Sequence, residues 1–147
     1  MQTDAIILAL SEQLTCYRRL AKLAELQHEH VQHNHTEQLL EVLGKRQAVL
    51  DQIALLEQTI APAKQRWSDY VKELDGDHRA CAEASLHETR QLLEQIMAAD
   101  RNDALVLQQR KLNLGKQINQ ASAAKQINRT YATAAYGQRP TRMDVQR

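Results

Sequence analysis

Leu10, Leu14, Tyr17, Ala21, Ala24, His28 and Val31 recur at alternating steps of four and three. That spacing predicts a first helix from residue 4 to about residue 33, with a heptad seam for a long partner helix. Leu20, Leu23 and Leu26 widen the apolar face beyond a strict seam, which favours a bundle over an isolated two-stranded coil. The segment HEHVQHNHTEQ reads as a turn or a continuation, with Asn34 as a break and Thr36 as a cap for a second helix. A second apolar series follows: Leu39, Leu43, Leu50, Ile53, Leu56 and Ile60, then Trp67, Val71 and Leu74. Pro62 lies inside it, removes a backbone donor and predicts a kink near residues 59–61. LDGDHR is the clearest stop, with Gly76 read as a C-cap glycine. A third helix should start near Ala80 and meets no proline before Pro140. Leu86, Leu93, Ile96 and Ala99 mark its first half, and Leu107, Leu114, Ile118 and Ala121 its second. Continuous to residue 134 it would reach ~80 Å at 1.5 Å per residue. DRND at 100–103 is its weak point, where Asn102 or Asp103 could cap a new helix.

Composition agrees with this pattern. With four Gly, two Pro, no Phe and five Tyr and Trp together, the chain is poor in breakers and rings and rich in helix formers. We therefore expect an all-α fold, an elongated antiparallel helical bundle or coiled coil with a thin core. Residues 1–135 should form a single helical-bundle domain, and 136–147 a flexible basic tail. No run approaches the ~20 apolar residues of a membrane span. The N-terminal stretch lacks the basic region of a signal peptide. Cys16 and Cys81 have no metal-ligand spacing and read as small buried thiols of a reducing cytoplasm.

Charge changes the picture. Residues 104–147 hold eight Lys and Arg and a single acid, Asp144, a balance of +7. The preceding residues carry eleven Lys and Arg against seventeen acids, a balance of −6. An acidic helical body thus carries a basic C-terminal region suited to a partner.

Candidate chemistry is sparse. His28, His30, His33 and His35 fall within eight residues, but only His28 and His35 share a helix face, and no cysteine or carboxylate completes a zinc spacing. We expect no metal site and no cofactor there. No phosphate loop, nucleophile elbow or HExxH occurs, and the carboxylates alternate with Lys, Arg and Gln as on a solvated helix face. No catalytic residue is nominated and no enzyme is expected. Arg110, Lys111, Lys116, Lys125, Arg129, Arg139, Arg142 and Arg147 could neutralise phosphates, yet no reader motif accompanies them, and nucleic acid is not the expected partner. Leu107, Leu114, Ile118 and Ala121 form one stripe of the third helix, while Leu105, Leu112 and Ile127 fall on its other side. Such a helix is either central to a core or faces its own bundle and a partner together.

Three segments carry a family likeness: LSEQLTCYRRLAKLAELQHEH at 10–30, LLEVLGKRQAVLDQIALLEQ at 39–58, and LNLGKQINQAS at 112–122 leading to Tyr131 and Tyr136-Gly137. With these the chain resembles the FlgN-like family of flagellar export chaperones. The resemblance implies a cytoplasmic type III export chaperone. Its C-terminal region would bind the terminal helical segments of hook-associated proteins, prevent their premature assembly and deliver them to the export apparatus. On that reading Leu105, Leu112, Ile118, Ala121, Ala124, Ile127, Tyr131 and Tyr136 are the expected partner-binding residues. A self-associating structural or tethering coiled coil, such as a homodimer, and a helical nucleic-acid regulator stay open as alternatives.

Overall fold

The structure is a computed structural model that describes the backbone of residues 2–136 and the side chains of residues 5–130. Four helices follow one another: α1 (Gln2–Gln32), α2 (Thr36–Gln65), α3 (Trp67–Lys72) and α4 (Gly76–Tyr136). There is no strand among the described residues, and the fold is an all-α bundle of long helices. The chain divides into two compact units, Met1–Val106 and Leu107–Arg147.

In the first unit α1, α2 and the opening part of α4 pack side by side. Leu20 and Ala24 of α1 share a core cluster with Val49 and Ile53 of α2 and Ile96 of α4. Ala9 and Leu10 share a second with Ile60, Leu74 and Ala82, and Trp67, Tyr70 and Val71 lean on it. Partners on α1 rise as those on α2 fall, so the two helices are antiparallel. Arg18 pairs with Glu88 and Gln27 with Asp103, so α4 runs parallel to α1.

The buried positions refine the sequence pattern. On α1 they include Leu10, Gln13, Leu20, Ala24, Gln27 and Val31. The seam keeps Leu10, Leu14, Ala24 and Val31 and also takes in 13, 20 and 27, where two glutamines stand. On α2 the buried line is Val42, Val49, Ile53, Ile60 and Ala63, and the predicted Leu43 and Leu50 lie exposed one position off it. On α4 Ala82, Thr89, Ile96 and Asp103 are buried at strict seven-residue steps. Leu93 is exposed although the hydrophobic pattern placed it on the seam.

The breaks also differ from expectation. Asn34 ends α1 with a positive φ of 57°. His35 N–H bonds His30 O, and Asn34 N–H bonds Val31 O, the paired bonds that satisfy terminal carbonyls when a left-handed residue follows a helix. Thr36 is the first residue of α2 rather than its cap. α2 runs through Pro62 and is interrupted at Arg66, whose backbone leaves the helical region. Gly76 opens α4 instead of closing a helix, and it has no positive φ. Asp75 caps that helix, because its Oδ1 accepts the His78 N–H at 2.8 Å. The weak point at 100–103 is continuous helix within α4. Asp103 cannot cap there, because its side chain is turned into the bundle.

Candidate functional site

Polar residues in the seam build the most elaborate contact of the first unit. Gln27 of α1 and Asp103 of α4 are buried, and Arg46 of α2 keeps 12 % of its side chain exposed. Arg46 forks onto Asp100, with Nη1 to Oδ1 at 2.7 Å and Nη2 to Oδ2 at 2.8 Å. Its Nη1 also donates to Gln27 Oε1. Gln27 Nε2 donates to Asp103 Oδ2 at 3.1 Å, and His28 Nδ1 meets Asp103 Oδ1 at 2.7 Å. Hydrogen bonding to Asp100 raises the Arg46 pKa still further, so this cation stays charged. Three helices therefore each insert a polar side chain at one level. A layer of this kind selects one register, because a slip would bury charge without a partner. A second polar contact lies further along, where Gln13 Nε2 donates to Glu57 Oε2 at 2.7 Å and Lys64 Nζ to Glu57 Oε1 at 3.0 Å.

Apolar periodicity places His28 on the α1 seam but passes over Gln13, Gln27, Arg46 and Asp103. The signal that could have found them is register, since Asp103 follows Ala82 and Ile96 at multiples of seven, and Gln13 and Gln27 flank Leu20 by seven.

Chemistry beyond this is limited. His30 Nδ1 lies 3.3 Å from His35 Nδ1, and the His33 and His35 rings stack at 5.6 Å, while His28 belongs to the polar layer. Among the described residues no group of three or more His, Cys, Asp or Glu could hold a metal ion. Cys16 is buried and burial pushes its thiol pKa up, which makes it a poor nucleophile. Cys81 is exposed, contrary to its reading as a buried thiol. Among the described residues no helix is long and apolar enough to cross a membrane.

The sequence-predicted partner residues are placed as follows. Leu105 belongs to the first unit and is 66 % exposed. In the second unit none of residues 107–130 is buried. Leu112, Ile118 and Ile127 are each more than half exposed, as is Leu114. Ala121 and Ala124 are exposed as well. Tyr131 and Tyr136 lie beyond the described side chains, and the tail from 137 onward lies outside the described residues. Residues 107–130 also carry Arg110, Lys111, Lys116, Lys125 and Arg129 and no acid.

No family model, curated protein or solved structure matches the chain.

Proposed function

We propose that this chain is a cytoplasmic export chaperone of the FlgN-like kind. It would hold a terminal helical segment of a hook-associated protein on residues 107–130 of α4 and release it to the export apparatus. One observation carries the reading: α4 presents Leu107, Leu112, Leu114, Ile118 and Ile127 with none of them buried. A helix gains nothing from exposed leucines and isoleucines on two of its sides unless something covers them. Burying each such side chain is worth about 1.5–3 kcal/mol before the costs of association. The small residues Ala121, Ser122, Ala123 and Ala124 leave room for a partner's larger side chains. Five cations without an acid on the same segment favour a neutral or acidic client helix.

The test is co-purification and calorimetric titration with the terminal helical segments of hook-associated proteins encoded in the same genome. Leu112→Asp and Ile127→Asp should abolish binding and leave the melting temperature unchanged, because neither side chain is in a core. Loss of stability with unchanged affinity would refute the reading. Binding of no client, together with a dimer that the same substitutions convert to monomer, would move the assignment to a self-associating coiled coil.

A further inference from the structure

We infer that the groove between α1 and α2 is a second docking surface, built for an acidic amphipathic helix of another protein. This goes beyond the client reading, since it lies in the first unit and uses different helices. The groove encloses about 590 Å³. Leu23, Ala48 and Val49 line its apolar part, and Arg19, Lys22 and Lys45 stand around it. Three of the eleven cations that precede residue 104 are thus gathered on one face of a net acidic body.

Those cations form no ion pair among the described residues, whereas Arg18, Arg46 and Lys64 on the same helices all do. Asp51 accepts from Gln47 at 2.9 Å, and Glu25 and Glu41, close to Lys22 and Lys45 in sequence, form no ion pair with them among the described residues. An apolar trough between two helices accepts a third helix by the ridge-into-groove packing that forms the bundle itself. The cations then select acids along the edges of that helix.

Charge decides among occupants. The chain's own last residues, 137–147, carry Arg139, Arg142 and Arg147 against Asp144, and would be repelled. The apolar segment of α4 in a second copy carries five cations and no acid at 107–130, and fails for the same reason. Nucleic acid would find only three cations and gain nothing from Leu23, Ala48 and Val49. An acidic amphipathic helix from a different protein meets both halves of the surface.

The experiment uses the full chain and a fluorescein-labelled synthetic helix with leucines on one face and glutamates along both edges. Three comparison probes accompany it: the same peptide with Lys for Glu, the acidic peptide with a central proline, and a short DNA duplex. Fluorescence anisotropy should show saturable binding of the acidic helix and none of the basic one. The combined change Arg19→Glu, Lys22→Glu and Lys45→Glu should weaken binding by roughly tenfold or more, with unaltered circular dichroism. Ala48→Glu should do the same without removing a cation. Leu112→Asp should leave this binding intact, so that failure of the groove and failure of the client site are told apart. Equal binding by the triple variant, or by the proline-broken peptide, would overturn the proposal. So would duplex DNA binding that the triple change removes while the acidic helix fails to bind, or dissociation of a homodimer by that change.

Discussion

Replacing Asp103 by Ala tests whether the polar layer holds the first unit together. Asp103 is 1 % exposed and accepts two bonds, from Gln27 at 3.1 Å and from His28 at 2.7 Å. Without it, the Gln27 amide retains only Asp100 as an acceptor, at a long 3.4 Å. A buried donor deprived of its partner costs about 1–3 kcal/mol. His28 keeps 44 % of its side chain in solvent, so water replaces its bond and it adds little. Removal of a buried carboxylate also relieves desolvation, which offsets part of the loss. The net expectation is about 2 kcal/mol. For a cooperative unit of this size that is a fall of roughly 8–15 °C in melting temperature. Urea unfolding followed by circular dichroism measures it, with Asp103→Asn losing about half as much because one oxygen remains. Gln27→Leu combined with Asp103→Leu should lose less than the sum of the single changes, since both halves of the contact leave together. A cost below about 0.5 kcal/mol for Asp103→Ala, the scale of an ordinary surface change, would show that the layer is incidental.

Acid should weaken the first unit through Asp75 and Glu88. The backbone N–H of His78 holds the Asp75 carboxyl below its ordinary value, and the Arg18 guanidinium does the same for Glu88. Both bind protons more weakly folded than unfolded, so their stabilisation is present above the ordinary carboxylate pKa of about 4 and is lost as pH falls through the lower folded values. Melting curves from neutral to acid pH should show this fall, and Glu88→Gln should flatten it. Thiol titration should find one fast cysteine, Cys81, and one, Cys16, that reacts only on unfolding; two fast thiols would contradict the burial of Cys16. Changing His30, His33 and His35 together to Gln should shift the melting temperature by only a few degrees and leave no metal affinity to lose. Gly115→Ala should raise helicity and stabilise by about 0.4–1 kcal/mol, because an added Cβ meets nothing within 4 Å. If the client backbone approaches that glycine, the same change will weaken client binding while raising stability.

The helices were legible because leucine, isoleucine and valine at helical spacing mark a buried face whatever the partner. Their register was not. Spacing by hydrophobicity chose Leu14, which is buried, but also Ala21 and His28, which are only partly buried, whereas the bundle buries Gln13, Leu20 and Gln27 as well. A polar seam residue looks like a surface residue until its partners on other helices are known, and Arg46 and Asp103 are distant from Gln27 in sequence. Leu43, Leu50 and Leu93 misled for the opposite reason: a long leucine on the flank of a seam is apolar without being enclosed. The stop at Asp75-Gly76 was legible and the break at Asn34 was one of two open readings, but the role of each residue needed the backbone. Glycine can either end a helix or begin one, and the Asp75 cap to His78 N–H makes Gly76 a beginning. On the candidate site, sequence alone left Leu105, Leu112 and Ile127 open between core and partner contact. Their exposure removes them from any core among the described residues.

The second unit poses a physical question that the first does not. Residues 107–130 are helical with none of them buried, so tertiary packing within the chain is not what keeps them helical. The segment has the means to be helical on local grounds. It is rich in Ala, Leu, Gln, Lys and Arg, lacks proline, and extends a helix already nucleated in the first unit, so the costly first turn has been formed elsewhere. Gly115 and Asn113 weigh against it, each less favourable than alanine. The balance is a helix that exists before a partner arrives but is held by little else. Pre-formed structure lowers the ordering cost of binding, while the absence of packing leaves the apolar side chains available. A segment whose leucines were meant for its own core would bury them in the bundle, as Leu10 and Leu20 are buried. A packed, net acidic bundle in the first unit and an exposed, basic helical segment in the second are therefore the physical ground for proposing that α4 takes the client.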